Sequence, residues 1–354
     1  MQHRTTDPSP LTIGLDLGSR STQCAVYSPG GSRLEERKIA TTRASLRSLL
    51  ERFPGARLVM EASTPSRWIK NLAVELGHEV IVAKPRTIPI ITASVRKCDR
   101  NDARLLAEIG QFRPHLLNPV QLREDRYQAV RTQLFARAQL VKQRTALVNF
   151  VRCEVKAIGE SLPTCSTRSF VSKAGPLVPA QLRQAMEPIL EVIKSVSDAI
   201  DVYDKRAERL AEESFPQTQI LRPVHGVGPL VALAFVATIG DPRRFSKSRI
   251  VGPYLGLVPR LDQSGKHDPA LSITKCGDRY MRSLLVSAAT RILGPHGADS
   301  DLRRFGLRIA DKGGKRAKAR ARIAVARKLA VVLHRLLSTG EVYEPLRNSS
   351  AAAA

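Results

Sequence analysis

Asp99 and Asp102 stand three residues apart in the stretch RKCDRNDARLLAEI, at the mouth of a helical pattern. Two further acids have an unexpected setting. Asp16 lies inside the apolar run LTIGLDLG, and Glu61 closes another, RLVME. An acid on a strand of a covered sheet is costly unless something binds it. If the four carboxylates meet at one point they need cations, and two Mg²⁺ ions roughly 3.5–4 Å apart are the usual arrangement in phosphodiester chemistry. Asp99 and Asp102 also admit a purely structural reading. With Asp99 as helix N-cap and Asp102 at the third helical position they resemble a capping box, and acids in a first turn complement the helix dipole.

The acids are outnumbered. The 354 residues hold 57 Lys and Arg against 32 Asp and Glu, a formal charge of +25. Such an excess repels itself unless a polyanion neutralises it, which points to nucleic acid. The densest run comprises Arg303, Arg304, Arg308, Lys312, Lys315, Arg316, Lys318, Arg320, Arg322, Arg327 and Lys328. It reads as a phosphate-contacting surface, with a solvated helix face as the alternative, and the first reading predicts affinity that falls steeply with salt. The amino terminus MQHRTTDPSP has no apolar core, and the longest apolar stretch, LVALAFVATIG, is too short to span a bilayer. Cys24, Cys98, Cys153, Cys165 and Cys276 are scattered without a C-x-x-C pair, which argues against structural zinc and for reduced thiols. The expectation is a cytoplasmic, nucleoid-associated protein with no membrane segment.

Three sections must position these residues. Residues 10–117 read as strands LTIGLDLG, QCAVYS and RLEERKIA, then helix TRASLRSLLERF, strand GARLVMEA, helix SRWIKNLAVELG and strand HEVIVAK. Hairpin strands followed by strands alternating with helices predict a mixed α/β sheet covered on both faces. Residues 118–216 are helical. Leu182, Met186, Ile189, Ile193, Val196, Ile200, Tyr203, Ala207 and Leu210 form a heptad seam that needs a partner, either an earlier helix of the same chain or a second copy. Residues 217–346 are mostly helical, with Gly340 capping the last helix.

That third section carries two smaller signals. HGVGPLVALAFVATIGD is a tight turn before an apolar helix, whose free N–H groups could hold a phosphate in the manner of a helix-hairpin-helix element. In YLGLVPRLDQSGKHD, Ser264 and Gly265 make a polar turn by themselves, and Ser272 and Thr274 fit a helix-cap role before KCGDRYMRSLL.

Taken together, IGLD at Asp16, MEA at Glu61, KCDRNDARLLAE at Asp99 and Asp102, GLVPRLDQSG at Ser264 and SITKCGDRYMRSLLVSAA after it resemble the insertion-sequence 110 family of transposases, and the resemblance runs over nearly the whole chain. STPSRW after Glu61 and Cys98 depart from the family's usual residues. The resemblance implies an RNase H-like, RuvC-like sheet domain, a helical coiled-coil section for dimerisation and a helical C-terminal transposase domain. It implies that Asp16, Glu61, Asp99 and Asp102 are catalytic and hold Mg²⁺. It implies that Ser264 attacks DNA to leave a covalent phosphoserine. Partners would be donor and target DNA, a noncoding bridge RNA, and further copies in a homodimer or tetramer. Arg260, Lys275, Arg303, Arg304, Lys315, Arg316, Lys318 and Arg320 are candidate nucleic-acid contacts. A serine needs a nearby base or metal to take its proton, and a serine phosphodiester keeps the energy of the cleaved bond for resealing. Two other readings stand beside it: a metal-dependent nuclease in which Ser264 is only a turn, and a sugar kinase of actin-like fold, for which no second phosphate loop of D-x-G-x-G form is present.

Overall fold

The structure, a computed structural model, describes residues 10–84, 98–261 and 271–350. Two compact units divide the chain, one ending at Leu122 and one beginning at Arg123.

In the first unit, strands β1 (Thr12–Leu17), β2 (Ser21–Tyr27) and β3 (Arg33–Ala40) form an antiparallel meander. Helix α1 (Arg43–Glu51) follows, then β4 (Arg57–Glu61), helix α2 (Ser66–Glu75) and β5 (Glu79–Ala83). Both β4 and β5 run parallel to β1, so the five-stranded sheet has the order β3-β2-β1-β4-β5. The mixed sheet expected from the sequence is therefore present. Thr42 caps α1 by accepting from the Ser45 N–H, and Gly77, at a positive φ of 81°, turns the chain out of α2.

Alternation along the strands gives the sheet two faces. Ile13, Leu15, Leu58 and Met60 point into a core with Leu46, Leu49, Leu50, Ile69 and Leu72 of α1 and α2. The opposite face takes helix α3 (Asp99–Phe112), through Val59, Ile81, Ala83 and Leu106 in one cluster and Ala25, Ala103 and Ala107 in another. The seat is very close. A Cβ added to Gly14 would lie 2.1 Å from the Ala103 carbonyl oxygen, so only glycine lets α3 sit here.

The second unit opens with the long helix α4 (Asp125–Ala157) and returns along α5 (Ala180–Arg209). The expected heptad seam is buried against α4 at Met186, Ile193, Ile200 and Ala207, so within this chain the partner is the preceding helix. Val148, Val151, Met186 and Ile193 make a core at the far end of this hairpin, closed by the buried ring of Phe170 from the connection. The rest includes α6 (Pro229–Ile239), α7 (Arg279–Leu293), α8 (Asp301–Ala310) and α9 (Gly314–Thr339). Gly340 ends α9 at a φ of 72°, as expected. Tyr127, Val130 and Leu134 of α4 and Ala207 of α5 share one core with α6, α7 and α9, so that core draws residues from both sides of position 216. Among the described residues, no helix is long and apolar enough to cross a membrane.

Candidate active site

Asp16 stands one residue beyond the Leu15–Met60 pair of the parallel β1–β4 ladder, and Glu61 stands one residue beyond it on β4. By alternation both share the face of Gly14 and Val59, which α3 covers. The direction of α3 follows from its contacts. Its Gly110 end lies over Thr12 and Val59, its Ala103–Ala107 turn lies over Gly14, and the Thr12 hydroxyl donates to the Gln111 amide oxygen. Helix numbers therefore fall as strand numbers rise. Two residues along β1 from Gly14 advance about 6.6 Å, and a helix covers that in four to five residues at about 1.5 Å each. The first turn of α3, with Asp99 and Asp102, thus lies at the end of the sheet where Asp16 and Glu61 emerge.

Asp16, Glu61 and Asp102 are half-buried, and Asp99 is exposed. The capping-box reading of the aspartates is not what forms. Cys98 is the N-cap, its side chain makes no cap bond, and Asp99 and Asp102 are the first and fourth helical residues. All four donors are carboxylates, hard oxygen ligands suited to a divalent cation of the Mg²⁺ class. Among the described residues, however, no group of three acid, His or Cys side chains is gathered closely enough to hold a metal ion. The fold brings the acids to one end without closing them around a point.

A residue the sequence reading passed over holds this turn in place. Glu36, on β3, accepts from Arg104 Nε at 2.6 Å and Arg100 Nε at 2.8 Å, with Arg33 Nη1 at 3.4 Å. The Arg104 hydrogen bond, then the charges of Arg104, Arg100 and Arg33, hold its carboxyl below the usual range. Arg100 follows Asp99, and Arg104 is two residues beyond Asp102. In sequence, Glu36 lay within the charged run LEERK, which resembles any solvated edge strand. Only the tertiary approach of α3 reveals its role.

Ser264 lies outside the described residues, but both ends of its loop are described. Pro259 and Ile273 form a bridge, with the Arg260 N–H donating to Ser272 O at 3.0 Å and the Thr274 N–H to Val258 O at 2.9 Å. Below them two turns interlock. A Cβ at Gly256 would lie 2.1 Å from the Cys276 carbonyl oxygen, and one at Gly277 would lie 2.1 Å from that of Tyr254. Arg282 Nη1 donates to both Leu255 O and Cys276 O, at 2.9 and 3.2 Å. Lys275 is held at a φ of 55°, a left-handed conformation that costs a non-glycine residue roughly 1–2 kcal/mol. The cap of α7 is neither Ser272 nor Thr274, as the sequence suggested, but Asp278, which accepts from the Met281 N–H at 2.8 Å. The Ser272 hydroxyl instead accepts from Arg260 Nη2 at 3.2 Å. The N-cap preference for Asp, applied one turn later, would have found Asp278. Its carboxylate also meets Arg131 Nη2 of α4 at 2.5 Å, with both side chains buried.

The candidate nucleic-acid contacts divide. Arg303 Nη1 donates to Ile292 O and Gly294 O at 2.6 Å, closing the end of α7, and Arg304 pairs in bidentate fashion with Asp299. Lys315, Arg316, Lys318 and Arg320 are exposed on α9 on either side of its buried Ala317 and Ala321, and none forms an ion pair with a described residue. Arg260 and Lys275 are exposed at the base of the Ser264 loop. The Gly226–Gly228 turn precedes α6 with Gly228 as its N-cap and Pro229 as first helical residue. That matches the expected turn before an apolar helix.

Comparison with known proteins bears on both units. A family model for the DEDD transposases of IS110, described as a transposase, matches residues 13–158, and its name points to acids that hold a divalent metal. A second, described as the transposase IS116/IS110/IS902 family, matches residues 218–301. A probable family 20 transposase of Pseudomonas aeruginosa is 29% identical over 344 residues, covering 94% of this chain and 98% of that protein. The transposase for insertion sequence element IS1111A of Coxiella burnetii is 27% identical, covering 94% and 90%. A pilin gene-inverting protein of Moraxella bovis is 25% identical, covering 81% of each chain. With two models of one family matching in order and relatives aligned nearly end to end, the chain belongs to the IS110 family of transposases, enzymes that cleave and rejoin DNA.

Proposed function

We propose that the chain is an RNA-guided DNA recombinase that works through a covalent serine–phosphate intermediate, with Asp16, Glu61, Asp99 and Asp102 as its Mg²⁺ ligands. The observation that carries the reading is the register of β1, β4 and α3, by which three separate elements deliver four carboxylates to one end of the sheet. The strand order β3-β2-β1-β4-β5, antiparallel then parallel, suits the RNase H-like, RuvC-like domain that the family resemblance implies. Functionally the chain divides into that domain (10–117), the helical section (118–216), through which copies pair as a dimer or tetramer, and the serine-bearing section (217–346).

The divalent ions would stabilise charge on the scissile phosphate and make the serine proton easier to remove. The remaining roles belong to the chain. Ser264 Oγ forms a bond to phosphorus as the bond to the departing DNA oxygen breaks, and the serine proton ends on that oxygen. In rejoining, the hydroxyl of the incoming strand attacks the same phosphorus, the Ser264–phosphorus bond breaks and the proton returns. One ester replaces another at each step, so no nucleotide cofactor is required. Arg260 steadies the phosphate with its planar fork, and Lys275 lies on the opposite side of the loop base. Lys315, Arg316, Lys318 and Arg320 hold phosphates of DNA or of the noncoding bridge RNA that selects donor and target. The name of the pilin gene-inverting relative fits cleavage coupled to rejoining.

The test is a denaturing gel of protein co-expressed with the RNA of its flanking DNA and incubated with matched DNA and Mg²⁺. A protein–DNA adduct formed by wild type and absent in Ser264→Ala supports the reading. Cleaved ends with no adduct would mean a nuclease that uses water. Loss of the adduct in Asp16→Asn and Glu61→Gln ties the acids to the same step.

A further inference from the structure

Within the second unit, an open groove of about 730 Å³ runs between α4 and the start of α7. Arg131, Phe135 and Lys142 line one wall, and Asp278, Arg279 and Tyr280 line the other. The second wall begins directly after the Cys276–Gly277 turn that locks the base of the Ser264 loop.

Two observations indicate what it takes. The first is charge. The acid in the groove, Asp278, is already engaged by Arg131 at 2.5 Å and by the cap of α7. Lys142 and Arg279 remain exposed with no ion pair to a described residue, so the groove is cationic. The second is an aromatic plate. Phe135 is 37% exposed, one residue past Leu134 on a helix whose Tyr127, Val130 and Leu134 feed the core. Its ring packs edgewise with Tyr280 at 5.4 Å and 81°, with the Arg131 guanidinium 4.7 Å from its centroid. An exposed apolar ring in a groove that also holds two cations without ion pairs to described residues suits a nucleobase with its flanking phosphates, since base stacking is tolerant of sequence and phosphates need only point charges. A volume of this size is in the range that small-molecule ligands fill. Duplex DNA keeps its base faces stacked inside and can offer such a groove only phosphates.

We propose that this groove is a binding site for an unpaired nucleotide, its base against Phe135 and its phosphates on Lys142 and Arg279, on the strand presented to the Ser264 loop. The site deepens the recombinase reading and rests on it for that last clause alone, because binding is measured without chemistry.

The test uses the full chain and fluorescence anisotropy with a labelled 15-nucleotide single strand and the duplex of the same sequence, at several salt concentrations. Phe135→Ala weakens single-strand binding about 10-fold and leaves the duplex within about twofold. Phe135→Trp keeps wild-type affinity. Lys142→Gln and Arg279→Gln weaken both ligands, each lowering the salt slope by about one. In the single strand, a 2-aminopurine base quenched by wild type brightens with Phe135→Leu, a variant that fills the packing space without the ring. Equal losses for single strand and duplex in Phe135→Ala, or none for either, would overturn the site. Failure of the recombinase reading looks different: no Ser264-dependent adduct forms with matched DNA, while Phe135→Ala still separates single strand from duplex.

Discussion

Two carboxylates, Glu36 and Asp278, each fix the first turn of a helix through arginine, and they do so in opposite environments. Glu36 meets Arg33, Arg100 and Arg104, whose side chains are 49%, 64% and 33% exposed. Asp278 meets Arg131, and the two are 6% and 9% exposed. The first arrangement holds the turn that carries Asp99 and Asp102, and the second holds the turn that follows the Ser264 loop. A hydrated network adds little free energy yet sets orientation, while a buried pair is strongly destabilising when either partner is removed. The end of the sheet that carries the acids is therefore sensitive to salt, whereas the Arg131–Asp278 pair is screened far less.

The largest effect expected from this contrast is in Asp278→Ala. It leaves the Arg131 charge buried without its partner, at about 3–5 kcal/mol, and removes a helix cap worth about 1 kcal/mol. Asp278→Asn restores the cap alone, so it should recover only about that last 1 kcal/mol. Denaturant unfolding of the three proteins measures both differences, and a near-wild-type Asp278→Ala would show that the pair contributes nothing.

Gly14→Ala comes next. Its Cβ would meet the Ala103 carbonyl oxygen at 2.1 Å, and backbone cannot rotate aside, so α3 must move off the sheet. Overpacking of this kind costs about 1–3 kcal/mol. The displacement carries Asp99 and Asp102 away from Asp16 and Glu61, so DNA cleavage should fall by at least about 100-fold, the scale of a misplaced catalytic group. Cleavage retained at wild-type level would argue against a site at this end of the sheet.

Glu36→Gln inverts that balance, with a stability loss below about 1 kcal/mol but a higher concentration of divalent cation needed for half-maximal cleavage. Raising salt to 0.5 M, on the order of ten times a dilute buffer, screens the network and should shrink the stability difference between wild type and variant. No such narrowing is expected for Asp278→Ala.

Those contrasts also mark what sequence can carry. Asp16, Glu61, Asp99 and Asp102 stood out because an acid inside an apolar strand or opening a helix violates a local pattern, and the strands that position them follow from alternation alone. The heptad seam of α5 was equally plain, though not its partner, since the same stripe suits an intramolecular hairpin or a second copy. Glu36 and Arg131 were invisible for one reason. Each is an ordinary charged residue in its own segment and gains its role from a helix distant in sequence, Glu36 from α3 and Arg131 from the start of α7. Arg303 was misleading in the opposite sense, a member of a basic run whose guanidinium is engaged by two carbonyls of its own fold.

The smallest effects are in pH dependence, and they separate the two units. Glu36 has a lowered folded pKa, so its contribution is present above its unfolded value near 4.5 and is lost as pH falls through the lower folded one. His334, on α9, behaves differently. It is 2% exposed, with Nε2 3.0 Å from Pro242 O and Nδ1 2.9 Å from the Ser248 hydroxyl. A carbonyl only accepts, so Nε2 carries a proton, and in the neutral ring Nδ1 accepts from the Ser248 hydroxyl. Burial lowers its pKa from 6.5. Between the folded and unfolded values the unfolded chain binds the extra proton, so stability falls as pH drops below 6.5. Acidification should thus weaken the helical unit first, as pH falls below 6.5, and release the Glu36 network only below about pH 4.5, the ordinary carboxylate range. Histidine Cε1–H and glutamate carboxyl shifts followed by NMR against pH, with His334→Gln as control, would locate both transitions. A single shared transition near pH 4 would mean that the buried imidazole has no part in the acid response.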